Sequence, residues 1–136
     1  MKTEKVSVNL NHAELGQIDL LVARGVFDNR SDFMRAAARK SLEGYEETFR
    51  QFLQPERFIE SSNNTLVRTI GIMTLSRRYI EQLIRQNIML DIRIIGLLKI
   101  DADIPEDALR QVVKSCKIHG KIMASEGHKA ILLDAE

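Results

Sequence analysis

The sequence predicts an α+β protein in which a strand and two helices are followed by a small α/β repeat domain. Three observations lead to this fold class. Apolar and polar residues alternate near the start of the chain, two helical periodicities follow, and a strand-helix pattern recurs every 24 or 25 residues in the second half. The predicted organisation is a first domain at 1–48, a linker at 49–65 and a second domain at 66–136.

The alternating segment is predicted to be a short β-strand. Its apolar side chains are Val6, Val8 and Leu10, and its polar side chains are Lys5, Ser7 and Asn9. Successive side chains of a strand point to opposite sides, so the two sets occupy opposite faces. A single strand leaves its backbone N–H and C=O groups unpaired, and the first half of the chain holds no other candidate strand. We therefore expect the same strand of a second copy to complete an antiparallel ribbon.

Such a ribbon has one buried face and one polar face. The expected dimer core consists of Val6, Val8, Leu10 and Phe33. The polar face has the width that fits the major groove of B-DNA. Asn9 is suited to a two-point contact with adenine, Lys5 to guanine, and Ser7 to either base. The alternative is that these polar side chains form only the solvated face of a strand.

Two amphipathic helices are predicted after the strand. Asn11 and Glu14 form a capping-box pair at the start of the first helix, and Gly25 is placed to end it. The second helix is expected to begin near Ser31 and to end near Gly44.

This order of elements resembles the ribbon-helix-helix family over residues 3–44. The segment from Gly25 to Asp32 is similar to the turn of the nickel-responsive regulators in that family. The resemblance implies an obligate, intertwined dimer in which Lys5, Ser7 and Asn9 read bases. It also implies that the start of the second helix, at Asn29, Arg30 and Ser31, binds a DNA phosphate.

Helix physics supports the phosphate assignment independently. Free N–H groups and the positive end of the helix dipole converge at a helix N-terminus, here beside the cation of Arg30. The simpler roles are an ordinary N-cap for Ser31, which is compatible with phosphate binding, and a solvated turn residue for Arg30. Residues 1–44 hold seven basic and six acidic side chains, so we expect modest affinity per dimer. Several dimers on adjacent half-sites would then raise avidity.

The second half contains a repeat marked by Ile70-Gly71, Ile95-Gly96 and His119-Gly120. The expected strands are Val67 to Leu75, Ile92 to Ile100 and Lys117 to Ala124. The expected helices are Arg78 to Asn87 and Glu106 to Ser115, with a truncated third unit that ends at Ala130 to Leu133. The period and the strand-helix alternation loosely resemble short leucine-rich-type repeats, in which parallel strands stack into a solenoid. The alternative is a ferredoxin-like sandwich.

The repeat is predicted to assemble further. A stack of strands leaves an open edge, and open edges invite pairing. Residues 67–100 hold six basic and two acidic side chains, whereas residues 101–136 hold five basic and seven acidic ones. A head-to-tail contact would match these charges, although Arg77, Arg78 and Arg85 can equally form a solvated helix face.

The segment between the domains is predicted to be helical and then irregular. Tyr45 to Leu53 extends the second helix as an amphipathic tail, and Pro55 and the run Ser61 to Asn64 end regular structure. The aromatic residues of the tail either pack against the dimer core or contact the second domain.

Several function classes are excluded or disfavoured. The single cysteine rules out an internal disulfide, no secretory signal opens the chain, and Ile88 to Leu98 is too short for a membrane span, all consistent with a cytoplasmic protein. Cys116, His119 and His128 are the only candidate metal ligands, and we favour structural roles for them, with His119 at a core position. No catalytic motif, cofactor site or metal site is expected, so the chain is not predicted to be an enzyme.

The sequence is therefore interpreted as a DNA-binding transcriptional regulator. It is repressor-like, binds double-stranded DNA as a homodimer, and forms higher homo-oligomers through residues 66–136. Two alternatives remain open. One is an antitoxin whose C-terminal half binds a partner protein, and the other is a scaffold that organises or segregates DNA.

Overall fold

A computed structural model describes residues 3–54 and 63–135. The chain divides into two compact units, residues 1–46 and 47–136. The first unit contains helices α1 (His12–Ala23) and α2 (Arg30–Glu43), and helix α3 (Glu46–Leu53) follows. Apart from its first residue, α3 lies in the second unit. After α3 this unit contains β1 (Asn64–Leu75), α4 (Arg77–Arg85), β2 (Met89–Ile100), α5 (Glu106–Val112), β3 (Val113–Met123) and α6 (Glu126–Asp134). None of the helices in the described ranges is long and apolar enough to cross a membrane.

The predicted ends of α1 are confirmed. The Asn11 side chain accepts a hydrogen bond from the Glu14 amide at 2.8 Å, and the Glu14 side chain in turn accepts from the Asn11 amide. At the other end, Gly25 adopts the left-handed conformation with φ of 76°. The amide of Gly25 bonds to the carbonyl of Val22, and that of the next residue bonds to Leu21, which is a Schellman motif.

Helix α2 begins one residue earlier than expected. Asn29 is its N-cap, and the Asn29 side chain accepts from the Asp32 amide at 2.8 Å. The alternative in which Ser31 is an ordinary N-cap is therefore wrong, because Ser31 lies inside the first turn. The rings of Phe27 and Phe33 pack edge to face with their centroids 5.1 Å apart, which fixes the turn against α2.

The first unit buries little of its apolar surface in a single chain. Among its described residues, 3–46, only Ile18 is buried. Residues 3–11 form neither a helix nor a paired strand, and the side chains of Val6 and Val8 are 81% and 59% exposed. The predicted strand pairing involves a second copy, and it stays a prediction.

The segment after α2 differs from the expected helical extension. Gly44 is the C-cap of α2, so Glu46–Leu53 forms the separate helix α3. Asn64 is the first residue of β1 and does not belong to an irregular run. Pro55, Ser61 and Ser62 lie outside the described residues.

The second unit is built on a three-stranded parallel sheet in the order β1-β2-β3. The register places Gly71 beside Gly96 and Gly96 beside Gly120, so glycines 25 and 24 positions apart in the sequence are neighbours across the sheet. Strands and helices alternate throughout, which differs from the βαββαβ order of a ferredoxin-like sandwich.

Two details of the repeat correct the sequence prediction. The helix expected from Glu106 to Ser115 ends at Val112, because the next residue takes an extended backbone and pairs with Leu90 of β2. His119 is not a core position. It is exposed and lies in register with Ile95 on the sheet face opposite the core.

The core lies between the sheet and the helices α4, α5 and α6. Its fully buried strand residues include Leu90, Ile92, Ile94 and Leu98 of β2, which is the central strand. Cys116 and His128 are buried there too, and the His128 Nε2 atom donates to the Ile104 carbonyl at 2.8 Å. The structure thus gives His128 a structural role. No cluster of metal ligands occurs within 3–54 and 63–135.

The aligned glycines allow the strands to approach one another. All three have φ between 133° and 139°, a region that L side chains rarely adopt. A Cβ atom on Gly96 would collide with the Gly71 carbonyl, and one on Gly120 would collide with the Gly96 carbonyl. By contrast, a Cβ atom on Gly71 would meet nothing within 4 Å.

This difference predicts graded stability losses. Gly71→Ala should cost only the backbone strain, about 1–3 kcal/mol. Gly96→Ala should cost that strain plus about 1–3 kcal/mol more, because the neighbouring strand must shift. Urea unfolding at low protein concentration measures both. Equal losses for the two variants would show that the steric role assigned to Gly96 is wrong.

Candidate nucleic-acid interface

The predicted base-reading residues lie in the segment that leads into α1. Lys5, Ser7 and Asn9 are all exposed, and the capping box at Asn11 fixes the point where this segment becomes helical. Their polar side chains alternate with the exposed apolar side chains of Val6 and Val8. In the single chain the segment therefore carries one set of side chains suited to burial and one suited to polar contact.

The second group of predicted DNA contacts lies at the N-terminus of α2. The Asn29 side chain is engaged as the N-cap, and the Phe33 amide bonds to the Asn29 carbonyl at 3.2 Å. The first amides of a helix have no partner within the helix, so those of Arg30 and Ser31 remain as donors at this end. Together with the helix dipole, these two amides form a geometry that suits an anion.

The Arg30 side chain is engaged within the unit. Its Nε and Nη2 atoms donate to the two carboxylate oxygens of Asp19 on α1, each at 2.8 Å. This bidentate ion pair is exposed on both sides, with side-chain exposures of 59% and 47%. It links α1 to α2 and reduces the positive charge that Arg30 presents at the start of α2.

The pair shifts both titrating groups. The hydrogen bond from Arg30, together with its charge, lowers the pKa of Asp19 below the ordinary value of 3.8. The reciprocal hydrogen bond raises the pKa of Arg30. Sequence reasoning missed this partner because an ion pair across eleven positions follows no local spacing rule.

Further acidic groups surround the α2 N-terminus. Asp32 lies in the first turn of α2, and its carboxylate accepts from the Asp28 amide at 3.3 Å. Carboxylates at a helix N-terminus stabilise the helix but also compete with an incoming phosphate. This local balance agrees with the low net charge of the first 44 residues.

A third feature lies on the sheet face of the second unit that the core helices leave open. The Phe52 ring of α3 packs edge to face against His119, with centroids 4.8 Å apart, and the Arg93 guanidinium lies 5.8 Å from the same ring centroid. Of the two arrangements open for the aromatic tail, Phe52 therefore takes the contact with the second domain. The sequence had no signal for this, because the partners are 41 and 67 positions away.

The chain belongs to the ribbon-helix-helix transcriptional regulator family, whose family model matches residues 1–129. This confirms the resemblance found over residues 3–44. The match also extends through β3 into α6, so the second unit is part of the family pattern. Membership gives the chain a role in DNA binding and transcription regulation. No curated protein and no solved structure matches the chain.

The Asp19–Arg30 pair predicts a titration behaviour. An acid with a lowered pKa stabilises the folded unit above its ordinary pKa, and this contribution is lost as the pH falls through the lowered value. Arg30→Gln should return the pKa of Asp19 toward 3.8. Carbon NMR of the side-chain carboxyl groups measures the change. Glu47, whose pKa is lowered by Arg50, is the internal control and should not move. An unchanged Asp19 titration would mean that the pair does not form in solution.

Proposed function

We propose that the protein is a repressor-like regulator that binds operator DNA as an intertwined dimer in the cytoplasm. The observation that carries this proposal is the exposure of apolar side chains in the first unit, where Ile18 alone of residues 3–46 is buried. A unit of this size with so little buried surface needs a second copy for stability. Pairing of the strand segments would bury Val6, Val8 and Leu10 and would leave the polar side chains outward.

The outward face of the paired ribbon carries Lys5, Ser7 and Asn9 from each copy. An antiparallel ribbon enters the major groove with alternate side chains directed at base edges. An asparagine at such a position recognises adenine through two hydrogen bonds, and a lysine donates to guanine. Base preference therefore rests on these six side chains.

The N-terminus of α2 is proposed to hold a DNA phosphate. The amides of Arg30 and Ser31 supply neutral donors, while the Arg30 guanidinium must share or leave the Asp19 carboxylate to reach the same phosphate. Replacing the Arg30–Asp19 pair with an Arg30–phosphate pair lowers the net binding free energy gained from the phosphate contact, because one charge-assisted pair is lost when the other forms. We therefore expect modest affinity for one dimer on one half-site.

The second unit is proposed to join dimers into higher oligomers. Its parallel sheet has two outer edges, at β1 and β3, and contact between neighbouring dimers would raise avidity on adjacent half-sites. Operator occupancy by such an array would block access to the DNA, which is the action expected of a repressor.

Replacement of Asn9 tests base reading. Asn9→Ala should weaken binding to the preferred duplex, selected from a random library, by about 1–3 kcal/mol, because a bidentate contact to adenine is lost. Binding to an unrelated duplex should change little, so discrimination falls. Gln17→Ala, at an exposed position of α1, is the matched control. Full discrimination in the Asn9 variant would remove Asn9 from the base-reading set.

Replacement of the ion pair tests the phosphate contact. Arg30→Ala should weaken binding to every duplex. It should also make the plot of log affinity against log salt concentration less steep, by roughly 0.9 for each phosphate contact that is lost. Asp19→Asn should strengthen DNA binding and steepen its salt dependence, because it releases the Arg30 guanidinium while keeping the size of the side chain at position 19. Filter binding over a salt series measures both slopes. Two results would show that Arg30 does not contact the DNA. One is that Asp19→Asn leaves the affinity for DNA unchanged. The other is that Asp19→Asn changes the affinity equally in the wild-type background and in the Arg30→Ala background.

A further inference from the structure

The outer edge of β1 has a conformation that nothing within the described chain requires. Gly96 and Gly120 adopt positive φ where the carbonyl of the preceding strand's glycine occupies the space of a Cβ atom. Gly71 adopts the same conformation, with φ of 133°, although the corresponding space beside it is open. The edge of β1 is therefore shaped like the two internal edges that already receive a strand.

The direction of the backbone groups can be derived from the observed hydrogen bonds. The Met89 amide donates to the Asn63 carbonyl at 2.8 Å, and the Asp101 amide donates to the Leu75 carbonyl at 3.1 Å. Odd-numbered residues of β1 thus direct their backbone groups toward β2. Because these groups alternate along a strand, even-numbered residues such as Ile70 and Thr74 direct theirs to the outer edge.

The outer edge of β3 shows the matching pattern. The Cys116 amide donates to the Ala135 carbonyl at 3.1 Å on the side away from β2. Alternation then directs the backbone groups of Ile118, Gly120 and Ile122 outward. The Gly120 carbonyl is therefore placed at the outer edge, as the carbonyls of Gly71 and Gly96 are placed at the internal edges.

We infer that the β3 edge of one copy pairs in parallel with the β1 edge of another, with Gly120 opposite Gly71. In this register the Gly120 carbonyl fills the space that is open beside Gly71, and the three-stranded sheet continues from copy to copy. The inference rests on the proposed self-association of the second unit and specifies how it occurs.

Shape favours a second copy as the occupant of this edge. The glycine carbonyl of the preceding strand already occupies the corresponding space beside Gly96 and beside Gly120. The β3 edge of a second copy offers the same group, the outward Gly120 carbonyl, at the matching position. Pairing of β1 with β1 would bring no Gly120 carbonyl to the space beside Gly71.

The length of the contact is set by the end of the second unit. Because Ala135 already accepts from the Cys116 amide, pairing is confined to the part of β3 from Ile118 to Met123. In the inferred register this part faces Thr69 to Thr74 of the next copy. The contact is heterologous, so it leaves a free edge at each end and permits growth.

A proline at an outward amide tests the edge. Ile70→Pro in the full chain removes an outward N–H and leaves the β1–β2 ladder intact. Ile70→Ser is the matched control, because it removes the same exposed side chain but keeps the amide. Sedimentation over a concentration series should show assemblies larger than a dimer for wild type and Ile70→Ser, and dimers for Ile70→Pro.

Cross-linking tests the register and does not depend on the proline variant folding. In the inferred pairing His119 lies beside Ile70 of the next copy, at a spacing that a disulfide spans. Chains with Ile70→Cys mixed with chains with His119→Cys should give several-fold more cross-linked product under mild oxidation than either alone. Thr74→Cys mixed with His119→Cys is the control, because four residues of offset exceed the reach of a disulfide.

The outcomes separate this inference from the proposed function. Large assemblies of Ile70→Pro, or equal cross-linking in the offset control, would overturn the edge pairing while self-association stands. A wild-type chain that stays dimeric at every concentration would overturn self-association and the edge pairing together. Binding of that dimer to a single operator would still test the DNA-binding role separately.

Discussion

The need to bury apolar surface in the first unit is the constraint on which the proposed function depends. Two short helices and an unpaired segment leave Val6 and Val8 largely exposed, and only Ile18 among residues 3–46 is buried. Pairing with a second copy would satisfy the open backbone groups and cover these side chains in one step. In the proposed dimer, association of the two copies, presentation of the polar face and spacing of the two α2 N-termini would thus follow from the same requirement.

Electrostatics at the start of α2 sets the strength of the proposed interface. The same Arg30 guanidinium that suits a phosphate is held by Asp19, and Asp32 occupies the first turn. A surface ion pair of this kind contributes little to stability, so its main effect is on the charge available for binding. An interface that is weak for one dimer makes occupancy sensitive to the number of dimers bound side by side. If the second unit joins dimers as proposed, it would therefore bear directly on how the first unit acts.

Local features of the fold were predictable from the sequence, whereas features that depend on distant partners were not. The capping box at Asn11 and the helix end at Gly25 follow from rules that span a few residues, and the glycine spacing predicted recurring strand-helix units, whose glycines lie side by side in the sheet. The end of α5 at Val112 was missed because pairing of the next residue with Leu90 prevails over helical periodicity. The contact of Phe52 with His119 joins residues 67 positions apart, so no spacing rule indicates it. Among the candidate site residues, the sequence identified the exposed polar positions but not the engagement of Arg30.

The contacts proposed for the two units differ in symmetry, and this difference determines what assemblies they would build. Pairing of two identical N-terminal strands is isologous and closes at two copies. The edge contact inferred for the second unit does not close in the same way, because it joins unlike edges: the β1 edge has open space at Gly71, and alternation along β3 directs the Gly120 carbonyl outward. A contact between unlike edges propagates in one direction. A chain that combines a closed dimer with an open edge contact is therefore suited to form linear arrays, whose length along a duplex would be set by the number of adjacent half-sites.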